Sequence, residues 1–264
     1  MKSLVTALGM FTLLPVPPTM ELTPETNRRV MLALPWAGLV CGLVSAAAAA
    51  LVVLCGAGNI LAAMAGLAAL AGVTGAMHLD GVADTADGLA SRKGPQEALA
   101  LMKQSDIGPM GVATAVLVLL LQASALASTA LGGWLLVAAL TCLPMVGKVA
   151  ALFATVEGIP GARAGGFGAL FTGITSRVNA VIDAMLVSTA TAGLGLLASW
   201  DPTVMLAFVA AAVISWLVAG RWQRHLLRRL GGLTGDTFGS LIEVCQTTFV
   251  VVLALLTGLI SRLS

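Results

Sequence analysis

Asp80, Asp84 and Asp87 lie in the stretch HLDGVADTADGLASR of a chain that holds only 12 acidic residues. On a helix turning about 100° per residue, positions i, i+4 and i+7 fall within roughly 60° of one another, so the three carboxylates share one face. Carboxylates this close raise each other's pKa, and near lipid they cost more still. A hard divalent cation is their natural partner, and the pattern points to metal-assisted chemistry at a membrane surface. A solvated face would pair Asp with Lys or Arg at i+4; here the i+4 partner of Asp80 is another aspartate. Arg92 could neutralise the excess charge or hold a phosphate. His78 reads equally well as a hydrogen-bonding group at the membrane edge and as a general base.

Two further stretches carry groups of the same kind. In LMKQSDIGPMG, Gly108 and Gly111 at a helix entrance would let backbone N–H groups approach an anion, with Lys103 adding charge and Ser105 a hydroxyl. A Gly-x-x-Gly pair alone is weak evidence; beside a metal cluster it becomes a candidate diphosphate cradle. In RRLGGLTGDTFGSLIE, Thr234 and Gly235 belong to a loop able to lie against a ligand, and Asp236 is placed to cap the following helix. Glu243, seven residues on and so on the same face, points into the membrane edge and needs a partner: substrate, metal, or the basic run from Arg221 to Arg229. Arg163 sits in GARAGGFG, which reads as a flexible lid or as a plain glycine-rich linker.

The elements that must position these groups are membrane helices. The chain of 264 residues is 58% hydrophobic and 10% charged, lacks tyrosine and has a mean hydropathy of +1.00, a profile soluble domains rarely reach. About seven apolar segments are long enough to span, near 33–55, 58–77, 110–130, 134–155, 180–199, 203–220 and 240–260. The expected fold is a single all-α polytopic domain over 1–264. It comprises an interfacial N-terminal segment (1–30) ending in a proline turn at Pro15, Pro17 and Pro18, a catalytic segment at 78–109, and a basic, glycine-rich loop at 221–243. All of the 14 basic residues but Arg262 fall on one side or at its helix ends. That side, with the N-terminus, is therefore expected to be cytoplasmic. Net charge of +2, without a basic stripe, argues against nucleic-acid binding. Cys41, Cys55, Cys142 and Cys245 are spaced too widely for a zinc or redox motif and read as buried thiols. A transporter would place ionisable groups in mid-span or on both faces; the one-sided pattern favours an enzyme.

Taken together and in this order, HLDGVADTADGL, LMKQSDIGPMG and GGLTGDTFGSLIE resemble the cobalamin 5'-phosphate synthase family over essentially the whole chain. The resemblance implies a magnesium-dependent enzyme of the bacterial inner membrane, and the one-sided basic residues put its active site on the cytoplasmic face. It would join adenosylcobinamide-GDP to α-ribazole or its 5'-phosphate and release GMP. Lipid would surround it, and a homo-oligomer is left open. The implied metal ligands are Asp80, Asp84 and Asp87, with His78 or a carboxylate as the base. The chain departs from the family pattern at Gln104, Asp106 and Lys148. The segment from Asp84 to Arg92 is also similar to the first half of the CDP-alcohol phosphotransferase motif, so a phospholipid-type phosphotransferase is the alternative; the second half of that motif is missing downstream.

Overall fold

The structure is a computed structural model that describes residues 2–16, 21–104 and 106–263. The described residues contain ten α-helices, two short 3-10 turns and two isolated bridges, and no strand: α1 (Lys2–Phe11), α2 (Pro24–Leu54), α3 (Asn59–Thr74), α4 (Met77–Ala90), α5 (Pro95–Leu101), α6 (Pro109–Leu126), α7 (Trp134–Ala154), α8 (Arg177–Ser199), α9 (Pro202–Leu230) and α10 (Gly235–Leu263). Helices α2, α6, α7, α8, α9 and α10 are each long and apolar enough to cross a membrane. The chain is therefore a multi-pass helical membrane protein, as composition required. Residues Pro17 and Pro18 and Ser105 lie outside the described residues.

Helix α7 sits at the centre. Most of its length is buried, from Leu136 to Ala154, and it packs against α2, α8 and α10. Small residues permit the closest of these approaches. A Cβ at Gly38 of α2 would stand 2.6 Å from the carbonyl oxygen of Pro144 in α7. The outward faces of α2, α3, α6, α8 and α9 carry exposed Leu, Val, Ile and Met side chains, as expected where the solvent is lipid.

The second expected span behaves differently from the rest. Helix α3 has 16 residues, about 24 Å of rise and short of the roughly 30 Å of a bilayer core. At its end Gly75 and Ala76 both take left-handed backbone angles (φ 61° and 55°), and α4 leaves at 86° to α3. The aspartate-bearing helix thus turns away from the spanning direction rather than prolonging the span. The Leu13 amide bonds the Val73 carbonyl at 2.8 Å, tying the segment after α1 to this corner.

Three expectations need correction. Residues 221–243 are mostly helix: α9 continues through the basic run to Leu230, α10 begins at Gly235, and only 231–234 connect them. Charged residues end a membrane-compatible stretch without ending a helix, because arginine propagates helix well. Lys148 does not reach a helix end; it lies within α7, fully buried, its Nζ without a hydrogen-bond partner among the described residues. Cys55 is exposed at the end of α2, whereas Cys41, Cys142 and Cys245 are buried.

Candidate active site

Helices α4 and α10 cross where glycines remove the side chains between them. A Cβ on Gly81 would stand 2.5 Å from the carbonyl oxygen of Asp236, and one on Gly239 3.1 Å from that of His78. This contact brings the acidic face of α4 beside the first turn of α10. Asp80 is exposed and Asp84 and Asp236 are half-buried. The Asp84 carboxyl is raised to a pKa of about 6, first by burial and then by the charges of Asp80, Asp236 and Asp87, with Arg163 opposing. Asp236 thus joins the aspartates of α4 in one electrostatic cluster.

Asp87 has another task. Its Oδ2 accepts from the Gly108 amide at 2.6 Å and its Oδ1 from the Gly111 amide at 2.8 Å. These are the unpaired donors at the start of α6, whose own N-cap position, Gly108, offers no side chain. The amides expected to cradle a diphosphate are therefore occupied by the protein's own carboxylate. The glycines are needed for this, since a Cβ at either position would collide with that carboxylate.

The start of α10 shows a second reassignment. Thr234 is the cap: its Oγ1 accepts from the Thr237 amide at 3.3 Å, while Thr237 Oγ1 accepts from the Thr234 amide at 2.7 Å, a reciprocal arrangement of the capping-box kind. Asp236 is released from the capping role expected of it. Its Oδ2 accepts from Thr234 Oγ1 at 3.3 Å and lies 4.0 Å from Arg163 Nη1.

Arg163 reaches the site because its loop is pinned, not loose. The Ala162 amide donates to the Leu233 carbonyl at 2.9 Å and the Leu233 amide to the Pro160 carbonyl at 3.0 Å. Gly232 and Gly168 press against this loop and the start of α10, each within 2.6 Å of opposing backbone were a Cβ present. Arg163 Nη2 also donates to the Leu99 carbonyl of α5. The stretch expected as a flexible lid is a fixed strap that delivers one guanidinium to Asp236.

Beside the carboxylates lies a cavity lined by Asp80, Asp236, His78, Phe11, Phe167 and Phe238, among others. Phe167 packs edge-on to Phe11 at 5.6 Å between centroids and tilted on Phe171 at 5.1 Å, giving the cavity an aromatic wall. On its far side His78 is buried, its Nδ1 4.0 Å from Glu243 Oε1. Glu243 Oε2 accepts from Gln122 Nε2 at 2.8 Å, and the same Nε2 lies 3.0 Å from Thr247 Oγ1. Glu243 finds its partner inside the bundle, not in the basic run of α9. His78 Nε2 has no hydrogen-bond partner among the described residues.

Among the described residues no three His, Cys, Asp or Glu side chains stand close enough to form a ready metal cage. The donor chemistry nevertheless suits a hard cation: Asp80, Asp84 and Asp236 are oxygen donors with surplus negative charge, and Arg163 is the cation that opposes it at Asp84 and Asp236.

The chain matches the family model described as cobalamin-5-phosphate synthase over residues 3–254. It belongs to this family. Similar proteins include one from Stutzerimonas stutzeri, 37% identical over 98% of this chain and 100% of its own. Another, from Frankia casuarinae, is 35% identical over 95% of this chain and 93% of its own. A third, from Pseudomonas aeruginosa, is 35% identical over 97% of this chain and 98% of its own. All three are named adenosylcobinamide-GDP ribazoletransferase. No solved structure matches the chain.

Within this member of the family, Arg92 and Lys103 stand apart from the cluster. Both are exposed, and neither makes an ion pair among the described residues. Arg92 occupies the turn after α4 with a left-handed φ of 54°. Two contributors escaped the sequence reading of the site. Arg163 was visible only as an arginine among glycines; Gln122 was visible as an amide inside the apolar run VLVLLLQASAL, and such a group in a span marks a buried partner.

Proposed function

We propose that this chain catalyses the reaction its relatives are named for, transferring the phosphorylated cobinamide unit of adenosylcobinamide-GDP to α-ribazole or its 5'-phosphate with release of GMP. The observation that carries the reading is the under-neutralised set Asp80, Asp84 and Asp236, gathered beside an aromatic-walled cavity. Magnesium is the proposed cofactor, held by Asp80, Asp84 and Asp236 rather than by Asp87, whose oxygens serve α6. When bound it would supply charge neutralisation at a diphosphate and at the departing nucleotide.

The remaining work falls to side chains. Arg163 offers a guanidinium beside the carboxylates for phosphate oxygens. Phe11, Phe167 and Phe238 present an apolar surface suited to a planar base such as benzimidazole. The attacking hydroxyl must lose a proton. His78, which lines the cavity and whose Nε2 has no hydrogen-bond partner among the described residues, is the proposed acceptor, with a carboxylate released from the cation as the other candidate. Holding the two substrates in register supplies most of the rate.

The basic end of the bundle, where α2, α6, α8 and α10 begin, is proposed to face the cytoplasm of a bacterial inner membrane. A reporter fused after Ser264 should then be active only in the periplasm and one inserted near Gly94 only in the cytoplasm. The chemical test is GMP release from adenosylcobinamide-GDP by the purified protein, with α-ribazole and magnesium each supplied or withheld. Dependence on both is expected. Release of CMP from CDP-diacylglycerol, with the cobinamide substrate ignored, would favour the phospholipid-type alternative.

A further inference from the structure

The face of α4 opposite the aspartates is not used by the chemistry. Val82, Thr85, Ala86 and Leu89 follow i, i+3, i+4, i+7 and lie about 180° around the helix from Asp80, Asp84 and Asp87. They form one wall of a groove of about 760 Å³ whose other walls come from α6, α9 and α10, a size within the usual 300–1,000 Å³ or so of ligand pockets.

The groove is graded along its depth. Val118, Val218 and Val244 line its inner end, each lying about 4 to 12 Å farther along its own helix from the basic end of the bundle than Met110, Arg221 and Ser240 respectively. Met110, Ser240, Arg221, Trp222 and His225 line the end nearer the basic side. There Trp222 and His225 stack at 5.3 Å with their planes 13° apart, and Trp222 Nε1 donates to Ser240 Oγ at 2.9 Å, bracing α9 against α10. Arg221 is the first charge after the apolar stretch of α9 and opens the run containing Arg224, Arg228 and Arg229. No carboxylate lines the groove, and Arg221 makes no ion pair among the described residues. Thr85 is 1% exposed, and its Oγ1 has no hydrogen-bond partner among the described residues although it lines this groove.

We infer that the groove between α4, α6, α9 and α10 is a binding site for one anionic phospholipid, an acyl chain lying along the inner valines and the headgroup phosphate meeting Arg221 and His225. Each part of the groove matches a part of that ligand. The apolar depth takes the chain, and the orphaned Thr85 hydroxyl can donate to a buried ester carbonyl. An arginine at this position extends its head toward the headgroup region, and the uncompensated cationic end selects an anion over a zwitterion. Occupancy would brace α4 from behind while its other face carries the aspartates. The inference is independent of which substrates react there.

The test is native mass spectrometry of the whole protein released from nanodiscs containing equal phosphatidylcholine and phosphatidylglycerol. One phosphatidylglycerol retained per chain, favoured about fivefold or more over phosphatidylcholine, is expected from the basic end. Arg221→Ala, on an exposed position that should not disturb folding, should bring the preference close to unity. Val118→Trp, which fills the apolar end, should reduce retention of both lipids. Glycerol 3-phosphate, which carries the anion without a chain, should not displace the bound lipid. Equal retention of the two lipids by the unaltered protein, an unchanged preference in Arg221→Ala, or displacement by glycerol 3-phosphate would each overturn the assignment.

Discussion

An acidic cluster and a lone buried glutamate flank the crossing of α4 and α10, and they are resolved in opposite ways. On one side Asp80 and Asp236 line a cavity with Asp84 beside them, Arg163 is the cation near Asp84 and Asp236, and burial together with the neighbouring carboxylates eases proton uptake by Asp84. On the other, Glu243 lies almost completely buried, yet one oxygen has the Gln122 amide and the other faces His78. Burial alone would single out Glu243 as the functional carboxylate. Partnership points the other way: Glu243, bonded to Gln122, ties α10 to α6, whereas carboxylates left in surplus await a ligand that brings positive charge.

Removing a member of the surplus is expected to have the largest effect. Asp84→Ala should lower GMP release at least about 100-fold, as for loss of a charge-stabilising group at a reacting centre, while leaving thermal stability in detergent unchanged or slightly raised, because repulsion with Asp80 and Asp236 is relieved. Near wild-type turnover would break the comparison at its first term.

The crossing itself can be attacked next. Gly81→Val places side-chain atoms where the Asp236 carbonyl already stands 2.5 Å from a Cβ, so α4 must move away from α10. Overpacking of this kind costs about 1–3 kcal/mol, and the cluster and the glutamate should suffer together: lower stability and lower turnover in the same variant. Loss of one without the other would show that the helices reach their arrangement by other contacts.

Glu243 sharpens the contrast. Glu243→Leu strands the Gln122 amide in the interior and should cost about 1–3 kcal/mol, measured by denaturant unfolding in micelles. Glu243→Gln, which keeps an acceptor for Gln122, should recover most of that stability and most of the GMP release. If Glu243→Gln folds normally yet is inactive, Glu243 belongs with the surplus and the distinction between the two fails.

Parts of this arrangement were legible in the sequence, and the physical range of each interaction decides which. The shared face of Asp80 and Asp84 follows from spacing within one helix, and the multi-pass helical fold follows from composition. Asp87 looks the same as its neighbours in sequence, but its partners, the amides of Gly108 and Gly111, lie 21 and 24 residues away, and only the packing of α4 on α6 separates its role from theirs. Arg163 depends on backbone bonds between Pro160 to Ala162 and Leu233, which a glycine-rich stretch gives no local reason to expect. The basic run of α9 was read as loop because hydropathy reports where lipid ends, not where hydrogen-bonded helix ends. Glu243 announced that it needed a partner, and a lone Gln122 in an apolar helix was the matching signal; neither residue alone indicated the pairing.

The smallest effect tests how Asp236 came to belong to the surplus. Thr234 and Thr237 cap α10 between them, which leaves the Asp236 carboxylate for Arg163 and the cavity. Thr234→Ala should therefore cost about 1 kcal/mol, the usual worth of an N-cap, with Thr234→Ser restoring it and with turnover falling only as far as the first turn of α10 loosens. Asp236→Ala should show the reverse balance, a smaller loss of stability and a larger loss of GMP release. Should Asp236→Ala prove the more destabilising of the two while retaining turnover, Asp236 would be a cap after all, and the surplus beside the cavity would shrink to Asp80 and Asp84.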